Sequence, residues 1–255
     1  MALDSLKLDI TPTVLHPIEL ASFLQHVIHR ITGQVHLIIC SSQDHFIQEL
    51  LASISHEKDL AIQEAEAEGL PPQKLARIAK RKHDLLMPTL RQLANAKDVK
   101  VTFCETLPQL MAYLSVYEFP ENADATKDNS TRQTIALLNP ISLYRKISSF
   151  SAQGLSRTFA SAVEAAHRVK ARLLIVECLS RLQVPLSDME PRSDDTMMQS
   201  DGNQRGYDDN PWDEEVSMLN VATKSFGAGE RGWVGRTVKV RTVAERWCVF
   251  KTPAY

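Results

Sequence analysis

The stretch from Thr134 to Cys178 restricts the fold more than any other part of the chain, because it reads strand, loop, helix, strand. Ile135 to Leu138 is a short apolar run without alternation, as in a strand covered on both faces. Asn139-Pro140 ends it, since proline donates nothing to a ladder. Leu155, Phe159, Val163 and Ala166 recur at helical spacing and predict a helix over 152–168, with Arg157, Glu164 and Arg168 off the apolar stripe. Leu173 to Val176 is a second uniformly apolar strand. Two such strands joined by a helix make a parallel βαβ unit. Ligands of open parallel sheets bind beyond the carboxyl ends of the strands. Function is therefore sought at Asn139 to Phe150 and from Glu177 onward.

Residues 1–16 carry no strong pattern. Leu20, Phe23, Leu24, Val27 and Ile31 predict an amphipathic helix over 17–31. Val35 to Cys40 reads as a strand. A helix follows with Phe46, Ile47, Leu50, Leu51 and Ile54, which Ser42 or Asp44 can cap. Gly69 and Pro71-Pro72 break the chain before a second helical segment over 73–96, split at Pro88. A strand over 99–104, a helix over 107–117 and a polar surface loop over 118–132 lead into the βαβ unit. Beyond it, residues 179–211 hold Asp, Pro, Gly, Ser and Met without periodicity and predict a long, acidic, disordered loop. Val216 to Val221 reads as a strand. Alternation over 236–243, followed by 246–250, predicts an antiparallel hairpin. The expected fold is one α/β domain over 1–255, with a mostly parallel central sheet flanked by helices and a C-terminal antiparallel hairpin.

With 44% hydrophobic residues in 255, the chain can bury one large core. A net charge of −2 gives no global pull toward nucleic acid or membrane. No apolar run approaches the ~20 residues of a membrane span, and the first residues lack the pattern of a secretory signal. No membrane association is expected. Cys40, Cys104, Cys178 and Cys248 are widely spaced, which argues for buried reduced thiols in the cytosol or nucleus rather than zinc.

Several motifs are incomplete. Gly227-Ala-Gly229-Glu-Arg-Gly232 has dinucleotide-loop spacing but precedes a predicted hairpin, not a helix. Cys40 to Phe46, after the first predicted strand, has neither the glycines nor the lysine of a phosphate loop, and Asp44 would repel phosphate. Asn139 stands where a magnesium-binding acid would end the later strand. No cofactor and no metal are expected. No nucleophile elbow is present. Glu177 is the one acid placed at a strand end like a catalytic group, without an identifiable partner.

Lys74 to His83 forms a basic helical face. It reads either as a solvated face balanced by Glu64, Glu66 and Glu68, or as a phosphate contact. Basic and aromatic residues are also interleaved in the C-terminal region, which suits a protein interface or single-stranded nucleic acid, with interface favoured. Lys80, Arg81, Lys82, Arg236, Lys239 and Arg241 are the residues read as DNA contacts. Trp212, Phe226, Trp233 and Trp247 are read as interface residues.

The order of parts resembles the RecA/recombinase superfamily, and within it the eukaryotic recombinase paralogues. The resemblance spans about Val35 to Phe250 and is carried by Ile135-Ala-Leu-Leu-Asn-Pro-Ile-Ser-Leu-Tyr-Arg145, by Ser151-Ala-Gln-Gly-Leu-Ser-Arg157 and by Leu173-Leu-Ile-Val-Glu-Cys178. Tyr144-Arg145 and Ser151-Ala152 are its most specific matches. Where the family has a DNA-binding loop, this chain is acidic (Asp188, Glu190, Asp194, Asp195, Asp201, Asp208, Asp209). The resemblance implies a degenerate, non-catalytic, nuclear member that assembles with other RecA-like subunits in a hetero-oligomer. It would assist homologous recombination, as Shu-complex proteins do, in contact with single- or double-stranded DNA. The alternative it implies is a subunit of an Elongator-type ring in tRNA modification, in the cytoplasm.

Overall fold

A computed structural model describes residues 11–30, 33–80, 82–118, 133–145, 147, 150–182, 210–218 and 236–252. The strands are β1 (Thr13–Ile18), β2 (Val35–Ile39), β3 (Val99–Phe103), β4 (Thr134–Leu138), β5 (Arg172–Cys178), β6 (Glu215–Ser217), β7 (Thr237–Lys239) and β8 (Val249–Lys251). Six of them form an all-parallel sheet in the order β3-β2-β4-β5-β1-β8, and β6 pairs antiparallel with β7 in a separate two-stranded sheet. The protein is thus an α/β fold with a parallel central sheet.

The helices are α1 (Leu20–Arg30), α2 (Gln43–Ala67), α3 (Pro72–Lys80), α4 (Leu90–Ala96), α5 (Leu107–Ser115), α6 (Pro140–Arg145), α7 (Ala152–Arg168) and α8 (Val240–Ala244). They cover both faces of the sheet. On one face α1 and the start of α2 bury Leu20, Phe23, Val27 and Leu50 against Val35, Leu37, Ala136 and Leu174. On the other, α5, α7 and α8 bury Leu110, Phe159 and Val240 against Ile38, Ile135 and Leu173. Every residue of β2 and β4 is buried, as uniformly apolar runs between two layers require.

The βαβ unit forms as its pattern predicts, with α7 over 152–168 capped by Ser151, whose Oγ accepts from the Gly154 amide at 3.2 Å. Ser42 caps α2. The helical segment over 73–96 is two helices, with the break already open at Lys82 and α4 starting after Pro88.

Four expectations need correction. Thr13 to Ile18 is a strand, not patternless chain, and it lies between β5 and β8. Its register slips between Leu15 and Ile18, which is where Pro17 sits. The stretch after Asn139 is a short helix, with Pro140 at its first position. The 236–243 run is not one strand: after Lys239 it turns into α8, whose Val240, Val243 and Ala244 are buried at helical spacing. The 246–250 run does not return beside it as a hairpin, because Val249 to Lys251 pairs in parallel with β1. The predicted loops over 118–132 and 179–211 lie outside the described residues except at their ends, as does the 227–232 glycine motif.

Candidate functional site: the crevice between β1 and β5

In an open parallel sheet the crevice lies where neighbouring strands send their connections in opposite directions. From β1 the chain crosses β5 and β4 to reach β2, whereas from β5 it proceeds past β1 toward β8. The carboxyl ends of β1 and β5 therefore flank such a point, and α1 starts there. An 11-residue helix N-terminus at a switch point is the usual seat for a phosphate.

Here that seat is filled by the chain itself. Glu19 precedes α1, and its Oε2 accepts from Ser53 Oγ at 3.2 Å. Ser53 Oγ in turn accepts from the Ala21 amide at 3.1 Å, so a side chain of α2 satisfies the first turn of α1. The segment leaving β5 folds over both groups. Arg181 Nε donates to Glu19 Oε1 at 2.8 Å, and a second guanidinium nitrogen joins the same oxygen. Ser180 Oγ donates to Glu49 Oε1 at 2.6 Å, and the Arg181 amide donates to Glu49 Oε2 at 3.2 Å. His45 and His56 stand 3.8 and 3.9 Å from Glu49 and Glu19. Two carboxylates, one guanidinium and two hydroxyls thus satisfy one another in a half-buried cluster.

A second switch point lies between β2 and β4, whose chains also depart in opposite directions. It too is closed. Asn139 takes a left-handed backbone (φ 55°), and its Oδ1 accepts from the Cys178 amide at 2.7 Å. Ser142 Oγ reaches the carbonyls of Asn139 at 2.6 Å and Cys40 at 3.3 Å. Glu177 is sealed between the two crevices, 2% exposed, and accepts from the Ile141 amide at 2.5 Å. Burial pushes its carboxyl up to about 8, against the pull of that amide and of Arg145. Arg145 is itself paired with Glu214 at 2.7 Å.

The expected phosphate-loop position at Cys40 to Phe46 is therefore only one of two crevices. The strand that sequence reasoning passed over, β1, supplies the other. Glu19, Glu49 and Arg181 are 30 and 132 residues apart in the chain, and only the topology brings them together.

A cleft of about 270 Å³ lies between α5, α6 and α7 and is lined by Leu107, Met111, Tyr144, Gly154, Arg157 and Thr158 among others. Its hydroxyls are engaged: Tyr144 and Thr158 share a hydrogen bond of 2.7 Å, and Thr158 donates to Met111 Sδ at 3.4 Å. His36, buried in β2, bridges Tyr117 Oη at 2.8 Å and Thr102 Oγ1 at 2.9 Å. Burial, with Lys100 nearby, lowers it to about 4, so it is a neutral core histidine. Among the described residues no His, Cys, Asp or Glu cluster has metal-site geometry, and no helix is long and apolar enough to cross a membrane.

The residues read as DNA contacts fall in two places. Lys80 ends α3 and Lys82 follows it, both exposed; Arg81 lies outside the described residues. Arg236 is exposed, Lys239 pairs with Asp213 at 3.5 Å, and Arg241 pairs with Glu245 at 2.9 Å and stacks over Phe250. The two groups do not form one surface, since α3 packs on α2 on one side of the sheet and α8 packs on α7 on the other. Of the residues read as interface, Trp212 is instead fully buried against Phe159 and Phe250, because the Pro211–Asp213 turn tucks it under α7. Trp247 is partly exposed and donates from its indole to Ser156 Oγ at 3.1 Å. Phe226 and Trp233 lie outside the described residues. Compared with models of known families and with curated proteins, the chain matches none.

Proposed function

We propose that this protein is a non-catalytic RecA-type subunit of a hetero-oligomer that assists homologous recombination in the nucleus. The observation that carries the non-catalytic part is the self-filled crevice. Glu19 and Glu49 occupy the place where an α/β nucleotide-binding protein receives phosphate, and like charge excludes a triphosphate from it. A parallel sheet that keeps its shape after its switch points close serves as an assembly surface. The assignment to recombination rests on the sequence resemblance to recombinase paralogues.

Contact with DNA is assigned to α3. Lys74, Arg77, Lys80 and Lys82 are exposed, and none takes part in an ion pair among the described residues. Glu64, Glu66 and Glu68, the residues expected to balance them, leave them free. Four unpaired cations suit a phosphate backbone, where each neutralised phosphate releases counterions and steepens the salt dependence.

Two measurements test this reading. Titration with magnesium-ATP should show no binding; tight binding with hydrolysis would overturn the non-catalytic assignment. Fluorescence anisotropy with single- and double-stranded oligonucleotides should show affinity falling ~10-fold or more, with a shallower salt slope, when Lys74, Lys80 and Lys82 are changed to Glu. Unchanged binding would remove α3 as the contact, and co-purification with tRNA-modification subunits would overturn the recombination assignment.

A further inference from the structure

One edge of the central sheet ends on bare backbone. β3 is the outermost strand, beyond β2. The Val35 amide donates to the Asp98 carbonyl and the Cys104 amide donates to the Ile39 carbonyl, so the even-numbered residues of β3 bond to β2. With the strand period of two, Val99, Val101 and Phe103 turn their N–H and C=O groups outward. None of these groups has a partner among the described residues. Val101, at the middle, is 48% exposed. Natural sheets blunt such edges with proline, bulges or very short strands. β3 has none of these: its five residues, Val-Lys-Val-Thr-Phe, pair with β2 in unbroken register. The opposite edge, β8, has three residues.

The charges along this edge select what can lie against it. From position 97 to 105 they are Lys97, Asp98, Lys100 and Glu105. Asp44 stands at the carboxyl end, two residues before Phe46, whose ring meets Phe103 at 5.9 Å. Lys97 and Glu105 are exposed and take part in no ion pair among the described residues. The edge thus runs from a cation to an anion along the chain. An antiparallel copy centred on Val101 reverses that order. It sets Lys97 opposite Glu105 at both ends, Asp98 opposite Cys104, Lys100 opposite Thr102 and Val99 opposite Phe103, with no like charges facing. Every outward N–H of β3 then meets an outward C=O, because Val99, Val101 and Phe103 fall in the hydrogen-bonded pairs of the ladder. On the apolar face Val101 meets Val101 between two Val99–Phe103 pairs.

We propose that β3 pairs antiparallel with β3 of a second copy of this chain, about a two-fold axis at Val101. The two six-stranded sheets join into one continuous sheet across the dimer. The contact is isologous and closes at two subunits, whereas β3 laid on β8 of another copy would repeat without closing. It is independent of the reading of the protein as a RecA-type subunit, and it names a surface that reading does not assign.

The test is light scattering on the purified full chain as it leaves a sizing column, over a range of concentrations. The expected mass is twice 28.6 kDa. Val101→Pro removes an outward N–H and no bond to β2, a place where an edge strand tolerates proline. It should be monomeric and keep the wild-type circular dichroism spectrum. Glu105→Lys sets like charges together at both ends and should weaken the dimer ~10-fold or more. Adding Lys97→Glu to it should restore wild-type affinity, a rescue that follows from antiparallel pairing about Val101. Both charge changes are on exposed side chains, so they answer the question even if the proline variant misfolds. A wild-type monomer at every concentration, or a dimer untouched by Val101→Pro and Glu105→Lys, overturns the proposal and leaves the subunit reading standing. Weakening by Glu105→Lys that Lys97→Glu does not rescue overturns the register. Species that keep growing as concentration rises overturn the proposal in favour of β3 laid on β8.

Discussion

Arg181 lies across Glu19, donating from Nε to Oε1 at 2.8 Å, and so joins the chain that leaves β5 to the first turn of α1. The pair spans 162 residues and sits over the carboxyl ends of two adjacent central strands. Changing Arg181 to Ala leaves Glu19 partly buried without its cation, while Glu49 keeps its bonds from Ser180 and from the backbone amide at position 181. The expected cost is about 2–3 kcal/mol, the penalty of an uncompensated buried charge moderated by residual solvent. Glu19→Gln in the Arg181→Ala background should recover more than half of that loss. Urea denaturation of the two single variants and the double variant measures this, and strictly additive losses would mean that the two groups do not act as a pair.

Asn139 holds a left-handed backbone and bonds the β5 end in the same turn. Glycine tolerates the backbone but loses the bond; alanine loses the bond and meets the steric penalty too. Asn139→Gly should therefore cost ~1 kcal/mol and Asn139→Ala ~2–3 kcal/mol. Reversal of that order in chemical denaturation would mean that the turn relaxes away from positive φ.

Glu177 makes stability depend on pH in a stated direction. Its carboxyl is held up to about 8 in the fold against 4.5 when free, so over that window the folded chain keeps a proton that the unfolded chain releases. Stability contributed by this group is full below pH 4.5 and is lost as pH rises through 8. Glu177→Gln keeps an acceptor for the Ile141 amide and removes the titration. Its melting temperature should match wild type near pH 4.5 and exceed it at pH 8.5, by on the order of 4–5 kcal/mol in stability. An equal difference at both values would show that the carboxyl does not titrate there.

Gly154 is fixed by contact rather than by its backbone. A Cβ there would stand 2.9 Å from Tyr144 Cε1, and the ring is pinned by Thr158 and Phe150 in a buried site. Alanine favours a helix over glycine by ~1 kcal/mol, but overpacking should outweigh that, leaving Gly154→Ala ~1–2 kcal/mol less stable than wild type. Tyr144→Leu makes the space. In that background the same substitution should turn neutral or stabilising, as read by thermal melting.

The parallel sheet was legible wherever strands are continuous apolar runs, as at Ile135 to Leu138 and Leu173 to Val176, and α7 was legible from its apolar stripe. β1 was not, because His16 and Pro17 interrupt its apolar run and the sheet absorbs them with a slip in register. The 236–243 run misled for another reason. Its β-branched residues favour a strand, yet burial of Val240, Val243 and Ala244 under α7 selects a helix. The crevice was half legible. Asn139 and the missing phosphate loop can be read from spacing, but Glu19, Glu49 and Arg181 become neighbours only once β1 is placed beside β5.

That placement also sets an order of events. β1 is the earliest described strand to leave the ribosome, yet both its neighbours, β5 and β8, are made more than 150 residues later. Until then it carries two bare edges, and a nascent chain in that state is a template for mispairing. Late synthesis of β5 and β8, not local nucleation, completes this part of the sheet, and a chain cut before Val249 would keep one of those edges open for good.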